Sequence, residues 1–360
     1  MPQAKKKPAA AKRKPAAAKK KPAARKKPRK LTVAVTGPTG TFGFGLVPLL
    51  QADDRIGRIV GIARRPFDPD EHGWTKMEYR RGDVRDEAAL EEAFADADVV
   101  VHLAFLITGN ASRETTRAIN VDGTLNTFRA AAAAGADRFV YASSVAAYGF
   151  HPDNPVPLTE DWPTRPARRL FYAQEKAELE QLLAEEAEAH PELKLYLLRP
   201  PVVLGPHTVG GKDLPGPLEA IGKGLLGAVG RLPVPLPTIA PSLQVQFIHE
   251  EDVGSAFLQC IVGAGPPGAY NITGDGVLVG SDLVRELGLA PVPVPGGPIR
   301  AAARAASALP TPPFVPPAAE WLEAISHPAI MDASKAKREL GWEPRYTSRE
   351  ALQDTLRAGL

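Results

Sequence analysis

The chain has 360 residues, with 44 lysines and arginines against 41 aspartates and glutamates, and 44% of its residues are hydrophobic. This length and apolar content suit one large domain with a smaller lobe. The single cysteine, Cys260, excludes an internal disulfide and indicates a reducing, cytoplasmic setting. No apolar run is long enough to span a bilayer, so no membrane contact is expected.

Residues 1–30 contain fourteen lysines and arginines, no acid, and little else but alanine and proline. Such a segment cannot bury a core, so a disordered basic tail is predicted. The other 330 residues hold 30 basic and 41 acidic side chains, a net charge near −11. The tail resembles those of linker histones and histone-like bacterial proteins. Contact with nucleic acid or another polyanion is therefore expected of the tail alone, and a solvated tail or a misassigned start codon is the alternative.

The segment Leu31 to Leu50, LTVAVTGPTGTFGFGLVPLL, passes from an apolar strand pattern through glycines into a helical pattern. Gly37, Gly40 and Gly43 allow a tight turn, close approach of a pyrophosphate to backbone amides, and close packing of helix on strand. The helix N-terminus then faces the phosphates. A dinucleotide site is predicted here, with an ordinary strand–turn–helix as the alternative.

The next strand pattern, RIVGIARRP, ends in Arg64 and Arg65. An acid at this point would bind the adenosine ribose of NAD, whereas two cations suit the 2′-phosphate of NADP. The cofactor is therefore predicted as NAD(P), with NADP favoured. The alternative is that both arginines are merely exposed and that Asp68 or Asp70 binds the ribose. Strand and helix patterns continue to alternate, which predicts a parallel sheet.

From this point the chain resembles the extended short-chain dehydrogenase/reductases, the group described as NAD-dependent epimerase/dehydratase-like. The resemblance rests on an ordered series of motifs: TGPTGTFG at 36–43, GDV at 82–84, VHLAF at 101–105, NVDGTLN at 120–126, FVYASSVAAYG at 139–149, YAQEK at 172–176, LRPPVVLGP at 198–206, VQFIHEEDV at 245–253 and ASKAKRELGWEP at 333–344. It implies a doubly wound α/β fold (Rossmann) with a smaller C-terminal substrate lobe.

The resemblance also implies which residues bind the cofactor. Asp83 and Val84 would meet the adenine, Leu103 and Ala104 the pyrophosphate and ribose, and Pro200 to Val203 would line the nicotinamide. Asn120 would tie nearby loops together, unless it is simply a helix N-cap. His102 is expected to be structural. The full expected set is Gly37, Thr39, Gly40, Thr41, Phe42, Gly43, Arg64, Arg65, Asp83, Val84, Leu103, Ala104, Asn120, Tyr172, Lys176, Pro200, Val202 and Val203.

Ser144, Tyr172 and Lys176 are the predicted catalytic residues. Tyr172 and Lys176 are four apart in a helical pattern, so they share one face. A nearby ammonium is expected to lower the tyrosine pKa from about 10 toward neutral, which makes Tyr172 a general acid or base, with Ser144 bonding the same substrate oxygen. Tyr148 is a rival tyrosine, but no lysine lies four residues beyond it.

The choice of reaction depends on two positions in these motifs. Dehydratases of the family carry Asp-Glu after the catalytic Ser or Thr, where this chain has Val145 and Ala146. Its epimerases usually carry Arg-Asp where this chain has Val245 and Gln246. An oxidoreductase acting on a small-molecule secondary alcohol or ketone is therefore predicted. The alternatives are a UDP-sugar 4-epimerase, a non-catalytic dinucleotide sensor, and a polyanion-binding protein that acts through its tail.

The expected domains are a dinucleotide-binding domain over 31–204 that also receives about 243–265, and a substrate lobe over 205–242 and 266–360. Within that lobe, residues 205–240 are expected to form a lid. Glu250, Glu251 and Asp252 are interpreted as helix N-terminal charges rather than metal ligands. The long helical pattern after Tyr172 has a glutamate-rich face interpreted as solvated. A homodimer formed through this helix is a further possibility, because the helix also carries three apolar residues: Leu179, Leu182 and Leu183.

Overall fold

A computed structural model describes residues 29–107, 112–208, 237–241, 243–295 and 327–359, with the isolated residues 297, 298, 301, 305 and 324. The predicted basic tail lies outside the described residues except for Arg29 and Lys30. Most of the predicted lid lies outside them as well.

A seven-stranded sheet forms the centre of the molecule, and every neighbouring pair in it is parallel. Its strands are β1 Leu31–Thr36, β2 Ile56–Ala63, β3 Met77–Arg81, β4 Val99–His102, β5 Arg138–Ala142, β6 Lys194–Arg199 and, after four short strands, β11 Gly268–Asn271. The spatial order is β11-β6-β5-β4-β1-β2-β3. The chain therefore moves outward from β1 in one direction and then returns to build the other half from β4, which confirms the predicted doubly wound fold.

Helices cover both faces of this sheet. They are α1 Thr41–Ala52, α2 Glu87–Phe94, α3 Arg113–Arg117, α4 Gly123–Ala133, α5 Phe171–Ala189, α6 Glu250–Ile261, α7 Gly280–Glu286, α8 Ser334–Leu340 and α9 Ser348–Gly359. Side chains alternate along β1, so Val33 and Val35 pack under α1 and α6, while Ala34 packs under α2, α4 and α5. The hydrophobic core is thus divided into two layers by the sheet.

Two glycines bring α1 and α6 into backbone contact. A Cβ atom on Gly45 would lie 2.1 Å from the carbonyl oxygen of Glu250, and one on Gly254 would lie 2.1 Å from the carbonyl oxygen of Gly45. Only glycine permits this approach. The contact packs α6 directly against the helix that begins at the glycine turn.

Six short strands pair outside the central sheet. β7 Val202–Leu204 pairs with β10 Phe247–His249, β8 Pro237–Pro241 with β13 Ala290–Val294, and β9 Gln244–Val245 with β12 Leu278–Val279. The substrate lobe was expected to include residue 266 onward, yet β11 belongs to the central sheet. This part of the expected boundary is wrong because β11 pairs with β6 over four residues.

The apolar side of α5 faces the interior of the chain. Leu179 and Leu183 are fully buried in the layer under α4 and α5, and Leu182 packs against the same layer. Of the three leucines, Leu182 keeps part of its surface exposed. No helix in the described ranges is long and apolar enough to cross a membrane.

Candidate functional site

The glycine turn connects β1 to α1 at the point where the strand order reverses. Gly37 has a left-handed φ of 68°, and a Cβ there would lie 2.9 Å from both the N and the Cα of Ala104. A Cβ on Gly43 would lie 2.0 Å from the carbonyl oxygen of Pro38. The turn therefore requires glycine at both positions. Open α/β sheets bind ligands at such a reversal.

The first turn of α1 is open to a ligand. Its N-cap is Gly40, which is exposed, and within the described part of the chain no side chain caps the helix. The predicted cofactor-binding residues Thr39, Thr41 and Phe42 are all partly exposed around it. Uncapped N–H groups at a helix N-terminus bind anions, so the backbone here fits a pyrophosphate.

Basic side chains cluster beyond the ends of β2 and β3. Arg64 and Arg65 are exposed, and the Arg64 carbonyl accepts a hydrogen bond of 3.0 Å from Nε of Arg81. Asp83 is paired with Arg85 through bonds of 2.8 and 3.0 Å, and these bonds hold the pKa of its carboxyl below the usual range. The Asp83 carboxylate, which also senses the charge of Arg64, is thus already paired with a cation.

The segment after β4 passes close to the glycine turn. Leu103 and Ala104 are bonded through their amides to Thr36, at 3.1 Å to its carbonyl oxygen and 3.3 Å to its hydroxyl. His102 is buried between the hydroxyls of Thr36 and Thr124 at 2.8 and 2.9 Å. Burial, and then the charge of Lys176, lowers the pKa of His102 to about 3. His102 is therefore neutral and structural, as its motif implied.

Asn120 lies inside a π-helical turn, Ala118–Asp122, between α3 and α4, so it is not a helix cap. Its amide oxygen accepts from the Leu106 amide at 2.8 Å, and its amide nitrogen donates to the Leu106 carbonyl at 2.9 Å and to Glu175 at 2.7 Å. Asn120 therefore joins the loop after β4 to helix α5. Val84 is buried nearby against Gly123.

Ser144, Tyr172 and Lys176 come together where β5 meets the start of α5. Ser144 follows β5, its hydroxyl oxygen accepts from the Ala146 amide at 3.1 Å, and its side chain acts on the Tyr172 phenol, whose pKa it lowers against the effect of burial. Lys176 is buried one helical turn beyond Tyr172. The Val145 amide donates to the Pro200 carbonyl at 2.9 Å. This bond joins the serine segment to the predicted nicotinamide-lining residues, of which Val203 is partly buried and Val202 exposed.

The electrostatics of this group differ from the sequence-based expectation. Burial raises the pKa of Tyr172 to about 12, although the bond with Ser144 opposes the rise. Burial also lowers the pKa of Lys176 to about 7 against the opposing charges of Glu175 and Glu180. The expectation that Lys176 lowers the tyrosine pKa is wrong for this state. The ammonium bonds Tyr141 Oη at 3.0 Å and the Ala142 carbonyl at 2.7 Å instead.

The rival tyrosine, Tyr148, has a different role. It is fully buried, and its hydroxyl is bonded to Asn271 at 2.8 Å and to Arg199 at 2.7 Å. Arg199 in turn forms a buried ion pair with Glu180. Tyr148 is therefore part of a structural network beneath the site.

The sequence profile of the family described as "NAD dependent epimerase/dehydratase family" matches residues 33–273, which include the turn, the serine segment and the Tyr172–Lys176 helix. The chain belongs to this family. An uncharacterized protein of Mycobacterium tuberculosis is 28% identical to this family member over 335 residues, which cover 90% of this chain and 83% of the relative.

Two further proteins extend the comparison. An L-arabinose 1-dehydrogenase (NAD(P)(+)) of Haloferax volcanii is 38% identical over 112 residues, which cover 31% of this chain and 40% of the relative. The crystal structure of Thermus thermophilus UDP-glucose 4-epimerase in complex with NAD superimposes with a TM-score of 0.65 at 22% identity, over 91% of this chain and 99% of that one. The similarity to the Thermus thermophilus structure shows that the two proteins share a fold.

In this epimerase/dehydratase family member, two neighbours of Lys176 were not among the predicted site residues. Phe105 ends the VHLAF motif, and its ring centre is 3.6 Å from Lys176 Nζ. Tyr141 lies in β5 and hydrogen-bonds the same nitrogen. Both residues belong to family motifs, VHLAF and FVYASSVAAYG. Their closeness to Lys176 depends on the pairing of β4 with β5, which the motifs alone do not reveal.

Proposed function

We propose that the chain is an NAD(P)-dependent oxidoreductase that interconverts a secondary alcohol and a ketone, with Tyr172 exchanging the proton. The observation that carries the proposal is that Tyr172 and the buried Lys176 amine lie together, with Nζ 5.8 Å from the centre of the Tyr172 ring, and that the Ser144 side chain acts on the same phenol. The Haloferax volcanii relative, a dehydrogenase that uses NAD(P)+, supports this class of reaction. It also makes a sugar-like polyol or ketone a reasonable first substrate class to test.

The residues present fit a dinucleotide. The uncapped first turn of α1 would hold the pyrophosphate, Val84 would border the adenine, and Arg64 and Arg65 would hold the adenosine end. The exposed arginines favour NADP, whereas the Thermus thermophilus structure contains NAD. Lys176 would bond the nicotinamide ribose. When bound, the dinucleotide supplies or accepts the hydride.

The protein's own residues handle the proton. A phenol whose pKa is about 12 remains protonated at neutral pH, so Tyr172 is ready to donate its proton to a carbonyl oxygen. The Ser144 oxygen accepts from the Ala146 amide, and its hydroxyl proton would turn from Tyr172 to that same substrate oxygen. In the oxidation direction Tyr172 must accept a proton, and its phenolate then needs the positive charge of Lys176.

UDP-sugar 4-epimerisation, the reaction named for the Thermus thermophilus neighbour, is the second candidate. That likeness supports the fold rather than the reaction. Gln246 stands in the motif where family epimerases carry an acid, next to Val245 in place of arginine. Its amide oxygen accepts from the Met331 amide at 2.8 Å, and its amide nitrogen donates to the Met331 carbonyl at 3.2 Å. Gln246 therefore serves the packing of the C-terminal segment, and neither Val245 nor Gln246 supplies an arginine-type diphosphate anchor.

One assay separates the candidates. The full chain is incubated with NADPH or NADH and a panel of ketones and aldoses, and separately with UDP-glucose and NAD. Consumption of reduced dinucleotide in step with alcohol formation supports the oxidoreductase. Conversion of the UDP-sugar without net change in dinucleotide supports the epimerase. Dinucleotide binding with neither reaction across the panel would contradict the proposal and favour a non-catalytic sensor.

A further inference from the structure

The ring of Phe105 lies directly against the ammonium group of Lys176. Nζ is 3.6 Å from the ring centre, donates to Tyr141 Oη at 3.0 Å, and donates to the Ala142 carbonyl at 2.7 Å. An ammonium has three N–H groups. Two oxygens and one aromatic face therefore account for all three in this state.

Phe105 is held in this place from two sides. Its ring meets that of Tyr172 edge to face, at 5.6 Å and 89°. The residue after it, Leu106, is bonded through both its amide and its carbonyl to Asn120, which is held by Glu175. Glu175 is 1% exposed, and its second carboxylate oxygen has no hydrogen-bond partner in the described part of the chain. The loop after β4 is thus clamped onto α5.

This arrangement leaves Lys176 without a donor for a ligand. A ribose hydroxyl must take one N–H, and giving up either oxygen would strand a buried polar group. The aromatic face is the weakest of the three partners. We propose that Phe105 occupies the place from which the nicotinamide ribose reaches Lys176, so that dinucleotide binding displaces the Phe105 ring from the ammonium. This inference rests on the proposed dinucleotide site.

Phe105 is then a positioning residue for the Tyr172–Lys176 pair. With the ring in place, Nζ lies 5.8 Å from the centre of the Tyr172 ring and is screened from water. Departure of the ring removes this screen and lets the polar dinucleotide take its place beside the amine. Lys176 thus becomes able to support a Tyr172 phenolate only when the dinucleotide is present.

The test is a dinucleotide titration of the full chain, followed by protein fluorescence. Phe105→Ala removes the competing ring and should bind NADP about three- to tenfold more tightly than wild type, since a cation–π contact is worth a factor of this size. Phe105→Leu keeps apolar volume without the aromatic face, so it should also bind NADP more tightly than wild type, but by a smaller factor. Ile107→Ala, on the same loop with an exposed side chain, is the matched control and should bind like wild type.

A second readout does not depend on dinucleotide. Amine-specific labelling followed by mass spectrometry should modify Lys176 faster in Phe105→Ala and Phe105→Leu than in wild type, with no such change in Ile107→Ala. Unchanged or weaker NADP binding by folded Phe105→Leu, while wild type binds normally, would overturn this inference alone. Absence of any dinucleotide binding by wild type would overturn the proposed function, and this inference with it.

Discussion

Glu180 and Arg199 form an ion pair that is almost completely shielded from water, with 4% and 6% of their side chains exposed. The guanidinium reaches the carboxylate through bonds of 2.5 and 2.9 Å, and Ser143 donates to the same carboxylate at 2.5 Å. Glu180 lies on α5, while Ser143 and Arg199 directly precede Ser144 and Pro200. The pair therefore joins three segments that form the site.

We expect Glu180→Gln to destabilise the protein by about 3–5 kcal/mol, because it leaves the Arg199 cation buried without its counter-charge. Urea unfolding at neutral pH measures the loss. Glu178→Gln is the matched control on the same helix, since Glu178 pairs with Arg117 at the surface and should cost less than about 1 kcal/mol. Equal losses of unfolding free energy in the two variants would show that the buried ion pair stabilises the protein no more than the surface pair does.

His102 makes the stability of the protein sensitive to acid. Its pKa is about 3 in the folded state and near 6.5 in an unfolded chain. Between these two pKa values the unfolded chain binds more protons than the folded one. The contribution of neutral His102 to the free energy of unfolding is therefore fully present above about pH 6.5 and is lost as the pH falls toward 3. Wild type should lose stability over this window, and His102→Gln should lose less. Urea unfolding between about pH 7 and about pH 4.5 checks this.

The control for His102 is His190→Gln, whose side chain is 37% exposed. This variant removes a histidine that is not buried, and its profile is compared with that of His102→Gln. A His102→Gln profile as steep as that of wild type would show that His102 is not the group whose protonation opposes folding.

Arg64 and Arg65 should determine which dinucleotide binds better. A 2′-phosphate forms charge-assisted hydrogen bonds with arginine, so wild type should bind NADP more tightly than NAD. Replacing both arginines with alanine should weaken NADP by about tenfold or more and leave NAD nearly unchanged. Arg58→Ala, which removes an exposed arginine paired with Glu78, is the control. Tighter binding of NAD by wild type would contradict the assignment.

The sequence was sufficient to predict the parallel sheet and the glycine turn. Gly37, Gly43 and the apolar pattern around them predicted the strand–turn–helix, because a backbone that needs glycine leaves a visible signature. The alternation of strands and helices predicted the parallel sheet. The edge strand Gly268–Asn271 was missed because four residues with mixed polarity carry no strand pattern of their own. Its pairing with β6 decides its structure.

The side-chain contacts of the candidate site were less predictable than the sheet and the turn. The four-residue spacing put Tyr172 and Lys176 on one face of α5, but it could not say where the lysine nitrogen points. Tyr141 and Phe105 decide that, and both come from segments distant in sequence. Similarly, the glutamate-rich face of α5 was expected to be solvated, yet Glu175 and Glu180 are buried by partners on other elements.

Residues 1–30 should act separately from the rest of the chain. Fourteen positive charges precede a body whose net charge is near −11, so the full chain should retard duplex DNA of any sequence at low salt, and residues 31–360 should not. Added salt should weaken the retardation steeply. Dinucleotide binding should survive truncation, because the turn begins at Gly37. Absence of retardation by the full chain would refute the nucleic-acid hypothesis, and loss of dinucleotide binding on truncation would refute the separation.

The central claim is that Tyr172 exchanges the proton with substrate. Tyr172→Phe removes the hydroxyl but little volume, so turnover of a substrate found in the carbonyl panel should fall by at least about a hundredfold, while the dinucleotide dissociation constant stays near that of wild type. Tyr148→Phe should instead lower stability and largely keep turnover, since that hydroxyl bonds Asn271 and Arg199. The decisive measurement is kcat of Tyr172→Phe at saturating dinucleotide: a loss of that size is predicted, and wild-type turnover would contradict the account.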